Sequence, residues 1–145
     1  EPSIILEQLN EGIITALKQR KSEMNEGMDI AFCTIDKKNG NMQFSGANRP
    51  LWLIRNKEFL SFKPTKMPIG GQQVNKSEGF LQHHINLQPG DALYLFSDGY
   101  ADQFGGEKGK KFMIKNLRET LLTINHLPMK EQKNHLYIQL LMEGI

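Results

Sequence analysis

The chain of 145 residues holds a single cysteine, Cys33. One thiol cannot close an intramolecular disulfide or supply the paired cysteines of a structural zinc site, so Cys33, inside the apolar run "DIAFCTID", reads as a small core residue of a reducing compartment. No apolar run comes near the roughly 20 residues that span a bilayer, and no signal-type segment precedes Glu1. The expectation is a soluble, cytoplasmic chain without membrane contact. Charge of one sign is lacking too. Eighteen Lys and Arg against sixteen Asp and Glu leave a net +2, short of the concentrated positive field of nucleic-acid binders, so no nucleic acid is an expected partner. HExxH, CxxC, GxSxG and Walker patterns are all missing, which sets aside zinc hydrolase, serine-elbow and P-loop chemistry.

What is present is enough for one domain with a real core: 39% apolar and 23% charged residues, with no internal repeat or linker. Residues 1–145 are therefore read as a single domain. Ile5, Leu9, Ile13 and Ala16/Leu17 recur at helical spacing from Pro2 to about Lys18, with Ser3 as the cap. "MDIAFCTID" reads as a strand apolar on both faces and so central in its sheet. Asn39-Gly40 signals a hairpin pairing 28–36 with 42–47, both turn residues taking positive φ. "LWLIR" and "EFLSF" form another hairpin through Asn56-Lys57, "KPTKMPIGG" is loop, and "GFLQHHINL" and "ALYLFS" are further strands. Five or six antiparallel strands follow in meander order. Helices are expected over 111–124 (Phe112, Leu117, Leu121, Ile124) and from near Pro128 (Leu136, Leu140, Leu141). Helix, strands, helices in that order mean α+β, an antiparallel sheet covered by helices.

The sharpest chemical feature is Asp98, where an apolar strand gives way to "SDGY". A carboxylate there needs a cation or hydrogen bonds to stay ionised, and oxygen-only ligation suits Mg²⁺ or Mn²⁺. The competing reading is a turn-capping aspartate, since Asp-Gly is a common turn pair. His83 and His84 are adjacent on a strand, point to opposite faces and cannot grip one ion together. "GGEKGKK" lacks the P-loop pattern; with Gly105 to Lys111 holding three glycines and three lysines, it reads as the least ordered internal segment. Lys108, Lys110, Lys111, Lys115 and Arg118 concentrate positive charge beyond Asp98, either a solvated run or an attractor for an anionic partner.

Together, "GMDIAFCTIDKKNGNMQFSGANRPLWLIRNKEF", "MPIGG" and "LQPGDALYLFSDGYADQFGG" resemble the metal-dependent PPM class of serine/threonine phosphatases, in its bacterial SpoIIE/RsbU-like branch, over roughly residues 3 to 125. The resemblance implies an α-β-β-α sandwich. It also implies two Mn²⁺ or Mg²⁺ ions that activate water against a phosphoserine or phosphothreonine in a phosphorylated protein, and an anti-sigma-factor antagonist as the usual substrate. It makes Asp98 a metal ligand, with Gly99 allowing close backbone approach. "GANRP" falls where relatives often read "AGHPP", which puts Asn48 and Arg49 on the substrate side.

The family's upstream "GD.YD" strand, its Asp-Gly-His-Gly segment and its later "DD" are absent from these residues. The expectation is therefore the middle and later part of a phosphatase domain, inactive by itself, with unpaired sheet edges that favour a homodimer. A second reading from another class is a non-catalytic signalling or protein-interaction module that keeps the sandwich. A plain nucleotide or phosphate binder lacks a supporting loop.

Overall fold

The computed structural model of the chain describes residues 1–19, 26–71, 79–102, 104–105, 110–111 and 114–144, the side chains of 104–111 and 140–144 excepted. The chain divides into two compact units, one of residues 1–53 and 60–95, the other of 54–59 and 96–145.

The first unit opens with helix α1, Pro2–Ala16. Pro2 suits a first turn, where its missing N–H is no loss. Ser3, expected as the cap, lies inside the first turn instead; its backbone N–H donates to Gln82 Oε1 at 3.0 Å, which satisfies one of the donors every helix start leaves over. The buried face is also not the expected one. Pro2, Ser3, Leu6, Asn10 and Ile14 face inward, whereas Ile5, Leu9, Ile13 and Ala16, with Gln8 and Gly12, line an apolar surface groove of about 460 Å³. Asn10 disguises the true face: it reads as polar, yet it is buried because its Oδ1 accepts the Gly70 N–H at 2.8 Å.

Among the described residues eight strands follow: β1 (Gly27–Met28), β2 (Ile30–Ile35), β3 (Asn41–Ala47), β4 (Leu51–Arg55), β5 (Glu58–Phe62), β6 (Ile69–Gly70), β7 (His83–Asn86) and β8 (Ala92–Tyr94), of which the parts of β4 and β5 within 54–59 belong to the second unit. They are not a meander. Two three-stranded sheets have the orders β2-β3-β7 and β5-β4-β8, and β1 pairs with β6. The chain thus passes from one sheet to the other between β3 and β4, and again between β7 and β8. The expected pairing of β2 with β3 holds, antiparallel from Ile30 opposite Ala47 to Ile35 opposite Met42. However, β2 is the edge and β3 the centre, as burial confirms: five of seven β3 residues are buried and none of β2.

Turn chemistry is redistributed as well. The β2–β3 turn spans more than two residues: Gly40 N–H donates to Asp36 O at 2.9 Å and Lys38 N–H to Asp36 Oδ1 at 2.9 Å. Only Gly40 (φ 72°) takes the left-handed conformation there. The tight two-residue turn with both φ positive is at Asn56 (50°) and Lys57 (67°), between β4 and β5. "KPTKMPIGG" is not all loop, since it contains β6 and a parallel bridge from Thr65 to Ala47.

Two clusters of buried apolar residues stand out among the described residues of the first unit. Met42, Phe44 and Ile85 from one sheet meet Leu51 and Leu53 from the other, with Cys33, Phe62 and Leu93 packed around them. Leu6 of α1 packs with Ala47, Met67, Ile69 and Phe80. Cys33 is half-buried, and burial pushes its thiol pKa up, so it is a poor thiolate.

In the second unit, β9 (Phe104–Gly105) pairs with β10 (Lys110–Lys111), followed by α2 (Ile114–Ile124) and α3 (Met129–Gly144). Leu117, Leu121 and Ile124 are buried at the expected spacing. Buried Gln132 ties the two helices, donating to Asn125 O and Leu127 O at 3.3 and 2.8 Å beyond the end of α2. Phe112 and the side chains of Leu140 and Leu141 lie outside the described residues. Of the 105–111 segment, Gly105, Lys110 and Lys111 are strand residues, and 106–109 lie outside the described residues, as does the question of its order.

Candidate functional site

At the end of β3, "GANRP" forms a tightly determined turn. Gly46 is packed so closely that a Cβ would collide with Arg49 O, lie 2.9 Å from Phe44 Cζ and 3.1 Å from Pro64 Cβ, so only glycine fits. Asn48 is left-handed, φ 58°, a conformation asparagine tolerates better than most residues. Its N–H donates to Thr65 O and the Thr65 N–H to Gly46 O, both at 2.8 Å. Asp29, one residue before β2, reaches both expected substrate-side residues: Oδ1 accepts from Asn48 Nδ2 at 2.8 Å, and Oδ2 lies 2.8 Å from Arg49 Nη2. Asn48 and Arg49 are thus brought together by a carboxylate that the reading of the sequence overlooked. The available signal was a charged residue between two short apolar strands, in "GMDIAF".

Asp98 belongs to the second unit. The strand expected over 92–97 stops at Tyr94; Leu95 and Ser97 are exposed, and 95–97 lack regular structure. Asp98, also exposed, opens a turn in which its carbonyl accepts the Asp102 N–H at 2.8 Å. Buried Ala101 anchors the turn, and Tyr100 OH donates to Leu136 O at 2.7 Å. At Gly99 a Cβ would meet, among the described residues, only Ser97 Oγ, at 3.4 Å.

The remaining candidates are structural. His83 stacks on Phe44 (5.8 Å between centroids) and meets Phe62 edge-on, its Nε2 2.8 Å from Lys63 O, while His84 is exposed. In the basic run, Lys115 pairs with Glu119 at 3.8 Å and the Arg118 guanidinium sits 4.2 Å over the Phe59 ring. Lys108 and the side chains of Lys110 and Lys111 lie outside the described residues. Among the described residues no three His, Cys, Asp or Glu side chains gather closely enough to hold a metal ion. Asp98 has the hard oxygen chemistry for Mg²⁺ or Mn²⁺, but these residues alone do not make a two-ion site. Nor, among them, is any helix long and apolar enough to cross a membrane.

Residues 1–144 match the family described as Stage II sporulation protein E (SpoIIE). The chain belongs to the SpoIIE family. It is thereby a member of a bacterial PPM-type phosphatase family, as its quoted motifs suggested. No curated protein matches it. Its fold resembles the solved SiaA-PP2C domain of Pseudomonas aeruginosa, with a TM-score of 0.82 at 24% identity, over 97% of this chain and 53% of that one. The SpoIIE-family chain thus spans about half the length of that structure. The likeness bears out the mixed α/β class with antiparallel sheets and helices.

Proposed function

We propose that the chain is part of one metal-dependent phosphoserine/phosphothreonine phosphatase domain, acting on a phosphorylated signalling protein of the anti-sigma-factor antagonist type. The observation carrying this reading is family membership over residues 1–144 combined with an exposed carboxylate in the "SDG" turn. In it, Asp98 supplies one oxygen ligand to Mn²⁺ or Mg²⁺. Gly99 fits the role of a residue kept small for an incoming ligand, because no atom within 3.4 Å inside the described chain demands glycine there. Arg49 offers a guanidinium to phosphoryl oxygens, an arrangement that suits paired N–H donors. Bound divalent cations would neutralise phosphoryl charge and acidify water. Pairing of two copies through sheet edges belongs to the same proposal.

The test is phosphate release from a phosphoserine peptide by the full-length parent in millimolar Mn²⁺. Metal-dependent release that Asp98→Asn abolishes supports the reading. Phosphopeptide binding without metal-dependent turnover would identify an interaction module instead. Residues 1–145 alone are expected to be inactive, since one carboxylate holds a hard cation only weakly, at roughly millimolar affinity or poorer.

A further inference from the structure

We propose that Asp29 is a positioning residue for phosphoryl recognition: it holds the Arg49 guanidinium ready for an anion. The inference rests on the phosphatase reading, in which Arg49 lies on the substrate side.

The two oxygens of Asp29 go to adjacent residues of one turn, Oδ1 to Asn48 Nδ2 and Oδ2 to Arg49 Nη2, each at 2.8 Å. The backbone beneath them is independently set. Asn48 is bonded to Thr65 and Thr65 to Gly46, Asn48 is left-handed, and Gly46 has no room for a Cβ. The main-chain position of Arg49 therefore owes little to Asp29, and what the carboxylate adds is the direction of a long, flexible side chain. An arginine held in advance loses less conformational freedom when it takes an anion.

The exposure of the pair supports this role over a purely structural one. Arg49 is 21% and Asp29 32% exposed. A single ion pair that water still reaches contributes only modestly to folding, and one carboxylate bridging two adjacent residues fits the orientation of the guanidinium. The same openness leaves a route for a phosphoryl group from solvent.

The experiment uses the full-length parent with p-nitrophenyl phosphate in Mn²⁺, and inorganic phosphate as a competitive inhibitor. Asp29→Asn keeps the side-chain volume, and its amide oxygen can still accept from Asn48, but the charge opposite Arg49 is gone. It should raise KM and the phosphate inhibition constant about tenfold, with kcat within about twofold and the unfolding midpoint unchanged. Asp29→Glu, which keeps the charge, should recover part of that loss. In an Arg49→Ala background, Asp29→Asn should add less than about twofold, because both changes remove one device. Asn48→Gly, compatible with positive φ, removes only the other arm of the bridge and should raise KM less than Asp29→Asn. A full tenfold loss on top of Arg49→Ala, or a fall in kcat at unchanged KM, overturns the role of Asp29. Failure of the phosphatase reading looks different: turnover would be missing from the wild-type parent or would survive Asp98→Asn. Even then, the Asp29 role is decided by phosphate protection of the parent against thermal unfolding, which Asp29→Asn should weaken; equal protection of both forms overturns it.

Discussion

The turn at the end of β3 and the turn that follows the irregular residues 95–97 beyond β8 are built differently. At "GANRP" the turn is determined by the rest of its unit: a glycine with no space for a methyl group, a left-handed asparagine, a backbone exchange with Thr65, and a carboxylate from Asp29. At "SDGY" the hydrogen bond that closes the turn is local, from Asp102 N–H to Asp98 O, and Asp98, Gly99 and Ser97 are exposed. A turn over-determined by its surroundings can hold a side chain to within a narrow range of positions before any ligand arrives. At "SDGY" the Tyr100 hydroxyl and buried Ala101 anchor one end of the turn, and Asp98 at the other end is exposed.

The largest effect expected from disturbing either turn is chemical. On the proposed phosphatase reading, Asp98→Asn in the full-length parent should lower metal-dependent turnover by about a thousandfold, because it would remove a ligand charge without loss of volume. Phosphate release at saturating Mn²⁺ measures it, and near-normal turnover would make the two turns alike in having no metal role. Next comes Gly46→Ala. Its Cβ would collide with the backbone oxygen of Arg49 and press on Phe44 and Pro64, so the strand end must move, at about 3 kcal/mol or more. The urea midpoint of the folded chain reads this directly, and an unchanged midpoint would show that the "GANRP" turn is looser than its packing implies.

Smaller, and opposite in sign, is Ser45→Ala. Ser45 sits in central β3, fully buried, and its Oγ has no hydrogen-bond partner among the described residues. Removing an unsatisfied hydroxyl without opening a large cavity should stabilise by about 1 kcal/mol. Destabilisation would mean that the clamped turn relies on this hydroxyl as well as on packing.

How much of this was legible follows the same division. The β2–β3 pairing, the β4–β5 turn and the Leu117/Leu121/Ile124 stripe could all be read, because each is a local pattern in which neighbours in sequence are partners in space. The buried face of α1 could not. Asn10 looks like a solvent residue until Gly70, sixty positions away, offers an N–H to it. Nor could the edge position of β2 be read, because "IAFCTI" is apolar enough for a centre and the centre went to β3, where Ser45 and Gly46 dilute the signal. Asp29 was missed for a like reason: its partners are nineteen and twenty residues on, and a charged residue between two short apolar stretches does not by itself point to them. Asp98 was singled out by its motif, whereas the geometry of its turn differs from the strand end expected there.

The smallest expected effect is the one that discriminates most sharply between the turns: Gly99→Ala. Glycine at 46 is required by packing, but at 99 the first atom of the described residues that a Cβ would meet is Ser97 Oγ at 3.4 Å, an ordinary contact. Gly99 is also not one of the glycines with positive φ, so alanine adds no backbone strain. Replacing glycine where its native conformation suits alanine narrows the unfolded ensemble and tends to stabilise, by about 0.4–1 kcal/mol. Exposure of the site offsets part of that gain, because the new methyl group buries little. The urea midpoint of Gly99→Ala should therefore match the parent chain or lie slightly above it, against the large loss expected for Gly46→Ala. A loss of about 1 kcal/mol or more would mean that the "SDGY" turn is held as tightly as "GANRP", and the contrast between a clamped and an open turn would fail.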